Sequence, residues 1–266
     1  MKIALITGAL GGLASEIINL IKNDFIIYAL DINPLIKDKY KEKSIIPVVC
    51  DITKTDELKK LYDELKNGNI RLDLIINFAG IVALGSTIEI DPSILKKVLD
   101  INLIGVYNVN NCFYDLLNPA SRIINVSSEY GKIDAIPFHS FYTLSKHALE
   151  IYNDSLRREL LNTKIKVIKI RPGSFKTNMQ NNINNQFDDL VANTTHYKTP
   201  LLKMKSIMTK ELLKAKDTKK IRKVFKKAIY KKKPKLAYNV NNSFKMKLYS
   251  ILPAKLQDFF FKIYFK

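Results

Sequence analysis

A chain of 266 residues, 47% of them hydrophobic, carries enough apolar material for one large α/β domain with its own core. Two widely separated cysteines, Cys50 and Cys112, and three histidines without ligand spacing, His139, His147 and His196, exclude a disulfide framework and offer no metal site. The net charge of +19 is lopsided: residues 1–195 carry 23 Lys and Arg against 22 Asp and Glu, whereas residues 196–266 carry 21 against 3.

In chain order, strands are expected at KIALIT, FIIYAL, IIPVVC, LDLIIN, RIINVS and KVIKI, with helices near 12–23, 54–67, 92–117 and 140–162. The nearly continuous apolar runs suit parallel strands covered on both faces, so the expected fold is a single doubly wound Rossmann-like α/β domain over 1–240. After RPG at 171–173 the chain turns asparagine-rich, and 174–208 is read as a mobile lid loop with one or two short helices. Helical spacing returns over 209–230, PKLAYNV offers a last short strand, and 241–266 reads as a basic, aromatic helical extension split by Pro253. A lysine followed by an apolar run at the N-terminus also suits a secretory segment, but glycines interrupt it. No apolar stretch reaches the about 20 residues that span a bilayer, so a cytoplasmic protein is expected.

The first strand runs directly into T-G-A-L-G-G-L-A at 7–14 and then a helix. Glycines there permit a tight turn and close approach of a pyrophosphate to the unpaired N–H groups of the helix start. The second strand ends in Asp31, placed to accept from adenosine ribose hydroxyls and to repel a 2′-phosphate, which favours NAD over NADP. Alone, Asp31 would equally serve as a turn cap before Asn33-Pro34.

These elements, with N-F-A-G at 77–80, S-S at 127–128 and Y-T-L-S-K at 142–146, resemble the short-chain dehydrogenase/reductase family in order and spacing over residues 1 to about 180. The resemblance implies hydride transfer between an alcohol and a carbonyl with a nicotinamide cofactor. It implies that Tyr142 is the acid/base, Lys146 its partner, Ser128 the group holding the substrate oxygen, and Asn102 the support of a relay water. It makes Thr7, Gly8, Gly12, Leu13, Asp31, Asp51, Ile52, Asn77, Ala79, Gly80, Pro172, Gly173 and Thr177 cofactor contacts, joined by Tyr142 and Lys146. It further implies a homodimer or homotetramer built through the helix that carries Tyr142. Two positions depart from the pattern: Ala14 stands for a third glycine and Phe78 for an asparagine.

Tyr142 and Lys146 are four apart, so a helix presents both on one face. A free phenol titrates near 10, and moving it toward 7 takes roughly 4 kcal/mol, about what one ammonium at ~4 Å supplies at an effective dielectric near 20. His147, next to Lys146, points around the helix and reads as a bystander.

The basic tail admits three readings: compositional bias toward lysine, a membrane surface, or nucleic acid. Bias alone predicts a comparable excess upstream, which the first 195 residues lack. No recognition motif accompanies the charge, which argues against nucleic acid. Leu248, Ile251, Phe259, Phe260 and Ile263 among the lysines suit peripheral association with an anionic membrane. The tail also resembles, less specifically, extensions in branches acting on retinoid or steroid alcohols, which implies a lipophilic alcohol or carbonyl substrate. A regulatory or scaffold protein that binds the cofactor without turnover is the competing reading.

Overall fold

The computed structural model describes the chain from Met1 to Lys266 except the side chains of residues 180 and 181, so that part of the expected lid lies outside the described residues. β1 (Lys2–Thr7) leads into α1 (Gly12–Ile21), β2 (Phe25–Asp31), the single turn α2 (Ile36–Lys39), β3 (Ile45–Val49), α3 (Thr55–Asn67) and β4 (Leu72–Asn77). Then follow α4 (Pro92–Leu99), a π turn (Asp100–Ile104), α5 (Gly105–Phe113), β5 (Leu117–Val126), α6 (Ser140–Glu159) and β6 (Lys166–Pro172). α7 (Asn178–Asn193), α8 (Lys198–Leu212), α9 (Arg222–Tyr230), β7 (Ala237–Val240), α10 (Phe244–Tyr249) and α11 (Ala254–Phe265) complete the chain.

The strands form one parallel seven-stranded sheet in the order β3-β2-β1-β4-β5-β6-β7. Ala14, Ile17, Ile18 and Ile21 of α1 and Phe225, Ala228 and Ile229 of α9 seal one face. Leu58, Leu61 and Leu65 of α3 with Val109 and Phe113 of α5 seal the other. Burial on both faces explains the uninterrupted apolar strands. Sequence order reverses between β1 and β4, and ligands of such sheets bind at the carboxyl ends of the strands beside that reversal.

Four expectations need correction. The helix expected over 92–117 is broken: Asp91 caps α4 by accepting from Ser93 N at 2.7 Å, Pro92 takes the first position, and the π turn separates α4 from α5. β5 also begins at Leu117, earlier than its polar first residues suggest. The asparagine-rich segment is two full helices, because Ile183, Phe187 and Leu190 of α7 and Leu201, Met204 and Met208 of α8 share an apolar cluster with Phe138 and Ile136. The helix expected over 209–230 stops at Leu212, and a turn around Asp217, whose carboxylate accepts from Lys219 N, restarts it as α9.

Residues 241–266 pack on this added layer. Met246, Tyr249, Phe261 and Phe265 lie against the cluster, the Tyr249 hydroxyl donates to the Ala135 carbonyl at 2.9 Å, and Gln257 Nε2 donates to Asp134 Oδ2 at 2.6 Å. The loop after β5 is thereby clamped between the tail and the sheet. No helix among the described residues is long and apolar enough to cross a membrane.

Candidate active site

One cavity of about 1010 Å³ opens at the carboxyl ends of the strands. Its cofactor end begins at Gly8, whose φ of +63° is a left-handed conformation that suits glycine; a Cβ there would stand 2.7 Å from the Ala79 nitrogen. Thr7 Oγ1 accepts from that same Ala79 N–H at 3.3 Å, tying the glycine turn to the loop after β4. α1 starts at Gly12 with no side-chain cap and no acid in its first turn, so its N-terminal dipole is free to meet an anion. Asp31 is the turn cap its position allowed. Its Oδ1 accepts from Asn33 N at 3.0 Å as a turn cap, its Oδ2 accepts from Leu10 N at 2.9 Å, and the carboxylate still lines the cavity with lone pairs to spare.

Gly8, Gly12, Leu13, Asp31, Asp51, Ile52, Ala79, Gly80, Ser128, Tyr142, Lys146, Pro172, Gly173 and Thr177 all line this cavity. Thr7, Asn77 and Asn102 are buried and do not line it. Asn77 Nδ2 donates to Asn110 Oδ1 and Asn125 Oδ1, both at 2.9 Å, in a buried amide cluster between the central strands β4 and β5 and α5. The Asn102 side chain makes three hydrogen bonds: Oδ1 accepts from Ile81 N at 2.8 Å, and Nδ2 donates to Ile81 O and Ser145 Oγ, both at 2.9 Å. It fastens the π turn to α6 and to the loop after β4; both Nδ2 hydrogens are used, and Oδ1 keeps one lone pair. Phe78 stacks on Phe225 at 5.2 Å, so the ring that stands for an asparagine is held by packing.

At the other end of the cavity, α6 projects Tyr142 and Lys146 together. Lys146 Nζ donates to the Val126 carbonyl at 3.2 Å and lies 5.7 Å from the Tyr142 ring centre. Gly80 leaves room for it, since a Cβ at that position would sit 3.4 Å from Nζ. Burial lowers the Lys146 ammonium to about 8, with Glu150 acting in the opposite direction. Burial raises the Tyr142 phenol above its ordinary value; a hydrogen bond with Ser128 pulls it down and Glu129 pushes it up. The simple estimate that one ammonium draws the phenol toward 7 thus omits the larger effect, the loss of water around the ring. Burial thus opposes loss of the Tyr142 proton.

Several cavity residues were not singled out from the sequence. Glu129 follows Ser128 directly, its carboxyl pushed up to about 7, chiefly by burial. Tyr130 stacks flat on the buried His139 at 5.4 Å and meets Tyr142 edge-on at 5.7 Å. Met208 and Met246, from α8 and the tail, form the apolar far wall. S-S-E-Y-G offered a signal for Glu129, since an acid beside the substrate-facing serine is costly to bury without purpose. The others depend on long-range packing that no local pattern announces. His147, by contrast, only donates from Nε2 to the Ile133 carbonyl at 2.8 Å.

The sequence pattern of the short chain dehydrogenase family matches residues 2–188. The chain belongs to that family of oxidoreductases. A probable short-chain type dehydrogenase/reductase VdlC of Helicobacter pylori is 28% identical over 98% of this chain and 96% of its own length. Retinol dehydrogenase 7 of Rattus norvegicus is 36% identical, over 50% of this chain and 43% of its own length. A short chain dehydrogenase family protein from Francisella tularensis has the same fold, with a TM-score of 0.76, 22% identity and coverage of 90% of this chain and 97% of its own. The family uses a nicotinamide cofactor, and the glycine turn, the open α1 N-terminus and the strand-end carboxylate fit one.

Proposed function

We propose that the protein reduces a lipophilic ketone, or oxidises the matching secondary alcohol, with NAD as the preferred cofactor and Tyr142, Lys146 and Ser128 as the reacting groups. The observation that carries this reading is the meeting of Tyr142, Lys146 and Ser128 in the same cavity as the glycine turn. When bound, the cofactor supplies or accepts a hydride. The protein's own part is proton chemistry and positioning. Ser128 donates a hydrogen bond to the substrate oxygen and fixes the reacting carbon. The protonated Tyr142 gives its proton to the oxygen as negative charge develops there, the form that ketone reduction requires. In the opposite direction the phenolate takes that proton, and the Lys146 ammonium, 5.7 Å from the ring, stabilises it. Asn102 holds α6 in register with the cofactor loop through Ser145. A lipophilic substrate is supported by the apolar wall from α7, α8 and α10, and by the similarity to a protein named as a retinol dehydrogenase.

Calorimetric titration is expected to show NAD binding at least about tenfold more tightly than NADP, a difference of ~1.4 kcal/mol that Asp31 against a 2′-phosphate readily supplies. Tighter binding of NADP would remove Asp31 as the selecting group.

The tail supports association with an anionic membrane. On α11, Leu256, Phe259, Phe260 and Ile263 are exposed while Gln257, Phe261 and Phe265 face the body, and Phe244 and Ile251 elsewhere in the tail are exposed as well. Full-length protein should sediment with phosphatidylglycerol vesicles and be released by salt, and Phe259→Ser with Phe260→Ser should weaken this. Equal recovery with neutral and anionic vesicles contradicts the reading.

A further inference from the structure

Glu129 has no part in the proton chemistry above, yet it occupies the substrate end of the cavity. It directly follows Ser128, opens the short turn Glu129–Gly131, is 8% exposed and lines the cavity. Its Oε2 accepts from Ser243 N at 2.7 Å, the first hydrogen bond between the catalytic loop and the C-terminal tail. No ion pair reaches it among the described residues, although 21 Lys and Arg lie between residues 196 and 266. The charged neighbour whose field it feels is Glu211, of like sign, itself paired with Lys214 at 2.7 Å. Burial, the largest cause, pushes the Glu129 carboxyl up to about 7.

The other buried acid on this side of the sheet makes the contrast. Glu150 is similarly buried, but Arg171 and Lys169 pair with it and hold its carboxyl below the ordinary value. A buried acid left without a cation, inside a cavity and beside the reacting groups, is a place for a cation that arrives with the ligand.

We propose that Glu129 is the substrate-binding group for an ammonium, so that the substrate is a lipophilic amino ketone or amino alcohol with its amine close to the reacting carbon. The inference rests on the carbonyl-reductase reading above and narrows its substrate class. Ser128 and Glu129 are consecutive, so one ligand can give its oxygen to the first and its amine to the second while its apolar chain runs along Met208 and Met246. The pairing also has a consequence for Tyr142. The Glu129 charge pushes the phenol up, and an ammonium set against the carboxylate cancels that field. An amine-bearing substrate therefore improves the base that the oxidising direction needs, and a substrate without the amine does not.

The test uses the full-length protein with NAD present and compares a long-chain alkyl amine with the alcohol of equal chain length, by calorimetry. The amine should bind at least about tenfold more tightly to the native protein, in line with a charge-assisted contact to a buried acid. In Glu129→Gln the amide oxygen can still accept from Ser243 N, and the preference should vanish. Equal affinities in the native protein overturn the proposal, whether or not the variant folds, and so does a preference that survives the substitution. Turnover of an amino ketone and its deaminated counterpart separates this claim from the parent reading. An amine preference in kcat/KM supports both, turnover of the two ketones at equal kcat/KM sinks only the amine site, and binding preference without turnover of either sinks the reductase reading.

Discussion

Tyr142→Phe should lower kcat by roughly 10²- to 10⁴-fold, the usual worth of a positioned acid/base, while leaving the fold and cofactor affinity nearly unchanged. The substitution removes one oxygen from a ring otherwise held by its edge contact with Tyr130 and by its place on α6. The hydrogen bond with Ser128 goes, but Ser128 Oγ still accepts from Tyr130 N at 3.2 Å. The cofactor end of the cavity, formed by Gly8, Gly12 and Asp31, is untouched. Circular dichroism and NAD titration should therefore match the native protein while steady-state turnover collapses. A variant that keeps turnover within a few fold would remove Tyr142 from the chemistry.

Glu150→Ala is expected to cost roughly 3–5 kcal/mol of stability, because it leaves buried cations without their counterion. Glu150 accepts from Arg171 Nε at 2.8 Å and from Arg171 Nη2 at 2.6 Å, and Lys169 Nζ lies 2.8 Å from Oε2. Asp154, 2.8 Å from Lys169, partly compensates that lysine, so Arg171 is the group left exposed to the loss. In a chain of this size the melting temperature should fall by on the order of 10 °C. The pH dependence has a definite sign. Burial pushes the Glu150 carboxyl up, but the bonds from Arg171 and Lys169 outweigh it and hold the group below its ordinary 4.5. Its folded pKa is depressed, so its contribution is complete above the unfolded value and is lost as pH falls through the folded one. The gap between native and variant melting temperatures should accordingly be widest near neutrality and close in acid. An equal gap at all pH values would mean that the loss is one of packing. Glu150 also raises the Lys146 titration, so the alkaline limit of activity should move to lower pH in the folded variant.

The two ends of the chain differ in how much local pattern revealed. β1 to β4 and β6 were legible because strands buried on both faces must be apolar throughout, and the glycine turn was legible because Gly8 needs a left-handed backbone. Tyr142 and Lys146 were readable as a pair because helical geometry alone puts them on one face. The α7–α8 layer was not, since its apolar spacing at Ile183, Phe187 and Leu190 is diluted by asparagines whose helix propensity is modest. Tertiary contact decides that segment: Gln186 accepts from Leu84 N at 2.9 Å, and Glu89 accepts from Thr195 N at 3.0 Å and His196 N at 2.8 Å. The state of the Tyr142 phenol was out of reach for a similar reason. Spacing gives the partner lysine, but burial and the charge of Glu129 are properties of the packed site.

The most direct measurement of the central claim follows the hydride itself. The full-length protein is given a panel of lipophilic ketones and NADH carrying deuterium at the ring position that yields the hydride, and the alcohol product is examined by mass spectrometry. Transfer through the cavity that holds Tyr142, Lys146 and Ser128 predicts deuterium on the carbinol carbon, with the label arriving far more slowly in Tyr142→Phe. An unlabelled product, or an equal rate of labelling in the variant, would contradict it.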